Sequence, residues 1–239
     1  MNAQMVERDY LPMLRQLEEK IKKNVPTYEL RFKNESTLMK IMSKILFFNK
    51  GFMTKVKTVL GTKVYWTSRE DYDRNPRETF GSLAHEFVHV MDYKRNPVKF
   101  ALGYLFPQIL ATPALLFVLL SPILIPLIVF GVVPACVLWV LLTALFLAPI
   151  PSLGRKWAEM RGYGMNIKLM VWLYGLFPKH YREWYVRHFT GPTYYYMWPF
   201  KRSIEEEIDK WSDPFNLDCL DDTNPAYREV YDLLFQLRA

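Results

Sequence analysis

Between Phe100 and Gly154 the chain carries no Asp, Glu, Lys, Arg or His. This is a run of 55 uncharged residues in a protein of 239 that is otherwise rich in charge. No other feature restricts the possible folds so strongly. A membrane-spanning helix needs about 20 apolar residues. The run holds two such segments, 101–120 and 127–148, with Ser121–Pro126 as the turn between them. Pro107, Pro113 and Pro134 would kink these helices, which membrane segments tolerate. The competing reading is a hairpin buried in a soluble core, but a chain of this size has too little other mass to cover it.

The flanks orient the hairpin. Lys94, Arg95 and Lys99 precede it, Arg155, Lys156 and Arg161 follow it, and the short turn is uncharged. The positive-inside rule then places both soluble parts in the cytoplasm, as an integral membrane protein with an even number of spans. The first ten residues, MNAQMVERDY, lack the basic and apolar regions of a signal peptide. The net charge of +7 favours anionic partners such as lipid headgroups. Only two cysteines occur, Cys136 and Cys219, which argues against a disulfide framework and against a cysteine-based metal site.

Outside the apolar run the periodicities alternate. Residues 9–24 predict an amphipathic helix, with Leu11, Leu14, Leu17 and Ile21 at helical spacing. Thr27–Phe32 predicts a short strand and Ser36–Phe48 a second helix. Met53–Leu60 and Thr62–Ser68 predict two strands joined at Gly61, with Val64 and Trp66 on one face of the second. A further helix begins at Asn75, which can cap it, with Pro76 in the first position and Glu78 at the capping-box position. It should run to Arg95, where Asn96-Pro97 stops it. Helices at Arg155–Tyr174, Lys179–Phe189, Lys201–Ser212 and Asn224–Leu237 complete the chain. The expected fold class is α+β, mostly helical, with a small sheet.

The helix that starts at Asn75 has an apolar face (Phe80, Leu83, Ala84, Phe87, Met91) and a narrow polar stripe (Glu78, Ser82, His85, His89, Asp92). A mostly apolar helix with one polar stripe aims those groups at something specific. His85-Glu86-Phe87-Val88-His89 puts two imidazoles one turn apart on one face, where both can bind a single Zn²⁺. Glu86 then lies beside the metal, placed to take a proton from water. Ordinary polar-face histidines are the alternative reading. A catalytic zinc needs a third protein ligand. Glu159, His180, Glu183 and His188 are candidates, and Glu159 is preferred. It lies in Trp157–Gly164, where Gly162 and Gly164 would allow a close backbone approach; an exposed glutamate paired with a nearby cation is its alternative role. Asp92 is a candidate to accept a hydrogen bond from a ligand histidine. His180, His188, Tyr181 and Tyr185 are candidate donors to a developing oxyanion. The strand Thr62–Ser68 is a candidate edge along which an extended substrate could add a strand.

The stretch His85–Asp92, HEFVHVMD, resembles the active-site helix of the zincin metallopeptidases, and its HEF-x-H-x-x-D form is similar to that of the MtfA-like peptidases. The order HExxH, membrane hairpin, glutamate helix resembles the integral-membrane zinc peptidases of the HtpX and CAAX-prenyl-endopeptidase type. The resemblance implies a gluzincin arrangement: His85, His89 and Glu159 as zinc ligands and Glu86 as general base. It covers about twenty residues plus the hydrophobic layout. Tyr163 departs from it, standing where that family usually has an aspartate four residues after the ligand glutamate.

These readings converge on a membrane-bound zinc metallopeptidase acting on a peptide or protein substrate. Its zincin-like domain would have one half in 1–99, the transmembrane hairpin in 100–154 and the helical remainder in 155–239. A membrane-anchored scaffold that retains a zinc site without turnover is the alternative. The aromatic and basic segment Trp172–Phe200 suits a headgroup region. No nucleic-acid motif accompanies it, which argues against nucleic acid as the partner. Nothing in the sequence sets an oligomeric state.

Overall fold

The structure, a computed structural model, describes residues 10–45, 50–148, 150–192, 196–221 and 224–236. Its contacts divide the chain into two units, each made of separate stretches. The first contains 1–98, 159–179 and 206–239, and the second contains 99–158 and 180–205. Residues 155–239, read above as one C-terminal half, are thus shared between both.

The first unit is built on α1 (Tyr10–Asn24), β1 (Glu29–Phe32), α2 (Thr37–Ile45), β2 (Thr58–Leu60), β3 (Lys63–Trp66), α3 (Arg69–Arg74) and α4 (Pro76–Arg95). The central helix α4 begins as its sequence predicts: the Asn75 side chain accepts from the Glu78 amide at 3.2 Å, and Pro76 needs no acceptor. It is buried on nearly every side. Phe80, Leu83, Phe87 and Val88 join a core formed with Met13, Leu17 and Ile21 of α1. Met165 and Leu169 belong to the same core, as do Val230 and Leu233 of the last helix, α10 (Ala226–Gln236).

The sheet has the order β1-β3-β2, with β1 parallel and β2 antiparallel to β3. Both edges of β3 are therefore occupied. This corrects the expectation that Thr62–Ser68 offers a free edge for a substrate. The sequence pattern of β3 carries the reason: Val64, Tyr65 and Trp66 are all buried, as in an inner strand covered on both faces. The strand expected over Met53–Leu60 forms only at Thr58–Leu60, because residues 50–55 turn instead. Residues 46–48, the end of the expected second helix, lie outside the described residues.

The second unit contains the apolar run. One helix among the described residues is long and apolar enough to cross a membrane, Gln108–Val129. It consists of a short 3-10 turn, Gln108–Ala111, continuing into α6 (Thr112–Val129), after α5 (Pro97–Leu105). The turn expected at Ser121–Pro126 lies inside α6, with Pro122 and Pro126 as helical residues. The chain reverses later, at Gly131, which has φ +74. There the Gly131 amide donates to Ile128 O at 3.0 Å and the Val132 amide to Leu127 O at 2.8 Å, a glycine-terminated helix end of the Schellman type. Glycine at a positive φ stops the helix where two prolines do not. The returning segment Ala135–Leu147 is a 3-10 helix rather than the α-helix expected. It packs on α6, with the Ala114 amide donating to Thr143 Oγ1 at 3.0 Å. Ala114 and Phe117 are buried on α6, while Val118, Leu119, Ile123 and Val129 are exposed.

Helix α7 (Leu153–Tyr174) begins in the second unit and continues in the first. Helices α8 (Lys179–Thr190) and α9 (Lys201–Ser212) follow it.

Candidate metal centre

The polar stripe of α4 meets α7 within the first unit. His85 and His89, one turn apart, turn their Nε2 atoms toward each other at 3.0 Å. Glu159 enters from α7, its Oε2 3.8 Å from His85 Nε2. One ligand atom from each residue lies within 4.8 Å of the others. All three side chains are buried, with His85 7%, His89 5% and Glu159 3% exposed. The alternative role of Glu159 as an exposed helix residue does not hold.

The donor set fits a metal ion. Two ligands of a tetrahedral zinc with bonds of 2.0–2.1 Å are about 3.3 Å apart, and the two imidazole nitrogens already stand near that separation. The local charge also fits. Burial and the Glu159 carboxylate together push the Glu86 carboxyl up to about 8, against a smaller opposing effect of Lys57 and Lys33. A divalent cation between these carboxylates would remove the repulsion. Burial also lowers the pKa of His89, outweighing the negative charges of Glu159 and Asp92. His89 is therefore neutral near pH 7, the form that binds metal.

The approach of α7 depends on Gly162. A Cβ there would stand 2.5 Å from His85 Nε2 and 2.6 Å from its Cε1. Gly164 likewise faces Trp211, whose ring a Cβ would meet at 2.5 Å. The glycines thus admit side-chain rings, where the sequence led us to expect a neighbouring backbone. Tyr163 stands edge-on to His85, with ring centroids 4.7 Å apart.

Asp92 takes its hydrogen bonds from elsewhere than the histidines. Arg161 donates to it twice, Nε to Oδ2 at 3.0 Å and Nη2 to Oδ1 at 3.2 Å. Asn224 Nδ2 donates to Asp92 Oδ1 at 3.0 Å and to Val88 O at 2.9 Å. Tyr227 adds a bond from its hydroxyl to the Arg161 carbonyl at 2.8 Å. The pair is bidentate, with Asp92 buried and Arg161 partly so. It locks α7 and the start of α10 to α4, one turn beyond His89.

Sequence reasoning missed Arg161, Asn224 and Asn166. Asn166 Nδ2 lies 3.4 Å from His85 Nδ1, and its Oδ1 is buried with no hydrogen-bond partner among the described residues. Its spacing was the available signal: seven residues after Glu159, it falls on the same face of α7 two turns on.

The candidate oxyanion donors His180, Tyr181, Tyr185 and His188 all lie on α8, in the second unit. There His188 stacks on Trp184 at 4.6 Å, and burial lowers its pKa to about 4. Tyr185 is buried, while Tyr181 and Glu183 are exposed. Within the same aromatic segment, residues 193–195 lie outside the described residues.

No protein-family model, no curated protein and no solved structure matches this chain.

Proposed function

We propose that the protein is a membrane-bound zinc metallopeptidase of the HExxH type. The observation that carries this reading is the buried cluster of His85, His89 and Glu159, assembled from two helices, with Glu159 70 residues after His89 in sequence. Zinc, when bound, supplies a Lewis acid that activates water and polarises the scissile carbonyl. The chain supplies everything else. His85, His89 and Glu159 hold the ion. Glu86 follows His85 on α4 and accepts the proton of the attacking water, then delivers it to the departing amine nitrogen. Its raised pKa belongs to the metal-free chain, and a cation beside it lowers that value toward the range of a working base.

The membrane part of the proposal is a hairpin of α6 and the 3-10 segment Ala135–Leu147. At about 2.0 Å per residue, 13 residues in 3-10 geometry extend about 26 Å, close to the hydrocarbon thickness of a bilayer. The many exposed apolar side chains on α6, Val118, Leu119, Ile123 and Val129 among them, support a lipid surround. The basic residues on both flanks put the two ends of the hairpin in the cytoplasm.

The test is metal analysis and peptide cleavage on purified wild type, Glu86→Gln and Glu159→Ala. The expected results are one zinc per chain in wild type, zinc retained but cleavage lost in Glu86→Gln, and zinc lost in Glu159→Ala. Cleavage surviving in Glu86→Gln would remove the peptidase mechanism. A wild type that binds zinc but cleaves nothing would favour a scaffold.

A further inference from the structure

We infer that Asn166 is the residue that orients His85 for metal binding, by presenting its amide oxygen to the ring's second nitrogen. The inference rests on the zinc reading above and goes on to assign a residue that reading does not use.

A histidine that ligates through Nε2 must keep its hydrogen on Nδ1, and that N–H needs an acceptor. Asn166 is the group that meets His85 Nδ1, at 3.4 Å. With its amide nitrogen facing the ring, Nδ1 must accept. The hydrogen of His85 then sits on Nε2, 3.0 Å from His89 Nε2. In this arrangement the two imidazoles share a hydrogen where an ion would go. The same arrangement leaves Asn166 Oδ1 buried with no partner among the described residues. A buried acceptor without a partner is unfavourable, because it has given up its bonds to water.

Turning the amide by half a revolution about its last bond exchanges nitrogen and oxygen in nearly the same volume. The oxygen then accepts from Nδ1–H, the orphaned acceptor is satisfied, and the lone pair of His85 Nε2 is released toward Glu159. One side chain thus has two settings. Amide nitrogen toward the ring suits a closed, metal-free histidine pair, and amide oxygen toward the ring suits an open, ligating one. Tyr163 packs on the same ring edge-on, with centroids 4.7 Å apart. Asn166 carries the polar role, one turn further along α7. It is a positioning residue, acting on the metal through His85.

The experiment uses the full chain in detergent, wild type beside Asn166→Leu and Asn166→Asp. Zinc affinity is measured by competition with a chelator, and the ring nitrogens of His85 are assigned by ¹⁵N NMR with and without zinc. Asn166→Leu keeps the volume and removes the acceptor, and should weaken zinc binding 10- to 100-fold. Asn166→Asp restores an acceptor and should bind within a few-fold of wild type. The zinc-loaded wild type should carry its hydrogen on Nδ1 of His85. Affinity in Asn166→Leu within threefold of wild type, or a zinc-loaded His85 without hydrogen on Nδ1, overturns the inference and leaves the zinc site standing. Should Asn166→Leu fail to fold, the NMR assignment and the aspartate variant decide it. A wild type that binds no zinc overturns both readings together.

Discussion

The imidazole of His85 lies directly against the backbone of Gly162, so close that a methyl group at that position would stand 2.5 Å from His85 Nε2. Helices α4 and α7 pass close together here, and the proposed metal centre requires the smallest residue at this position. Alanine is the better helix former by about 1 kcal/mol, so Gly162→Ala need not unfold the protein. It should instead displace the His85 ring and weaken zinc binding at least tenfold while circular dichroism stays native. Unchanged zinc affinity in Gly162→Ala would show that α7 can back away without cost.

The buried pair of Asp92 and Arg161 makes a different prediction. Removing one partner leaves the other charge buried and uncompensated, at a cost of about 3–5 kcal/mol. Arg161→Met alone should therefore be strongly destabilised in chemical denaturation. The double variant Asp92→Leu with Arg161→Met should recover much of that loss. Recovery of stability without recovery of zinc binding would show that the pair serves the ligand geometry as well as the fold.

The metal-free protein should have an unusual pH dependence. Glu86 has a folded pKa raised to about 8, mainly by burial. Between about pH 4.5 and 8 the unfolded chain has released this proton and the folded chain retains it. Stability should then fall as pH rises through that window, by at most about 1.4 kcal/mol per unit. His89 opposes this at lower pH. Its folded pKa is lowered, so below about pH 6.5, where the unfolded histidine takes up a proton, its contribution falls as pH drops and offsets that of Glu86. Thermal melts of the chelated protein from pH 5 to 8.5 should show the fall above about pH 6.5 and a flatter profile below it. Added zinc should abolish the alkaline slope by favouring the Glu86 anion.

Leu119 is 73% exposed on α6. In water an exposed leucine can be replaced by arginine at little cost. At the centre of a bilayer the same change costs about 3–4 kcal/mol. Leu119→Arg should accordingly reduce the membrane-integrated fraction in an insertion assay. Full integration or full solubility of both forms would count against a spanning α6.

The buried hydroxyl of Tyr28 has no hydrogen-bond partner among the described residues. Tyr28→Phe should leave the unfolding free energy unchanged or raise it by about 1 kcal/mol. A clear loss of stability would reveal a partner for that hydroxyl.

The parts of this protein legible in its sequence are those governed by local rules. Helix α4 runs from Pro76 to Arg95 because a capping asparagine, a proline and a terminal Asn-Pro act within a few residues of the chain. The His85–His89 pairing follows from helical pitch alone, and the 55-residue uncharged run needs no tertiary structure to be recognised. Tertiary structure decided what depends on distant neighbours. The middle position of β3, and so the loss of a free substrate edge, came from pairing with β1 as well as β2. The late reversal at Gly131 was decided by a glycine's backbone freedom against two prolines that the helix absorbed. The fate of Asp92 was decided by Arg161, 69 residues away, and by Asn224, 132 residues away. A helix face can be read from spacing, because spacing is a property of the helix itself. The partner that a buried charge or amide finds is a property of the whole packed unit, and for Asp92 and Asn166 that partner set the role.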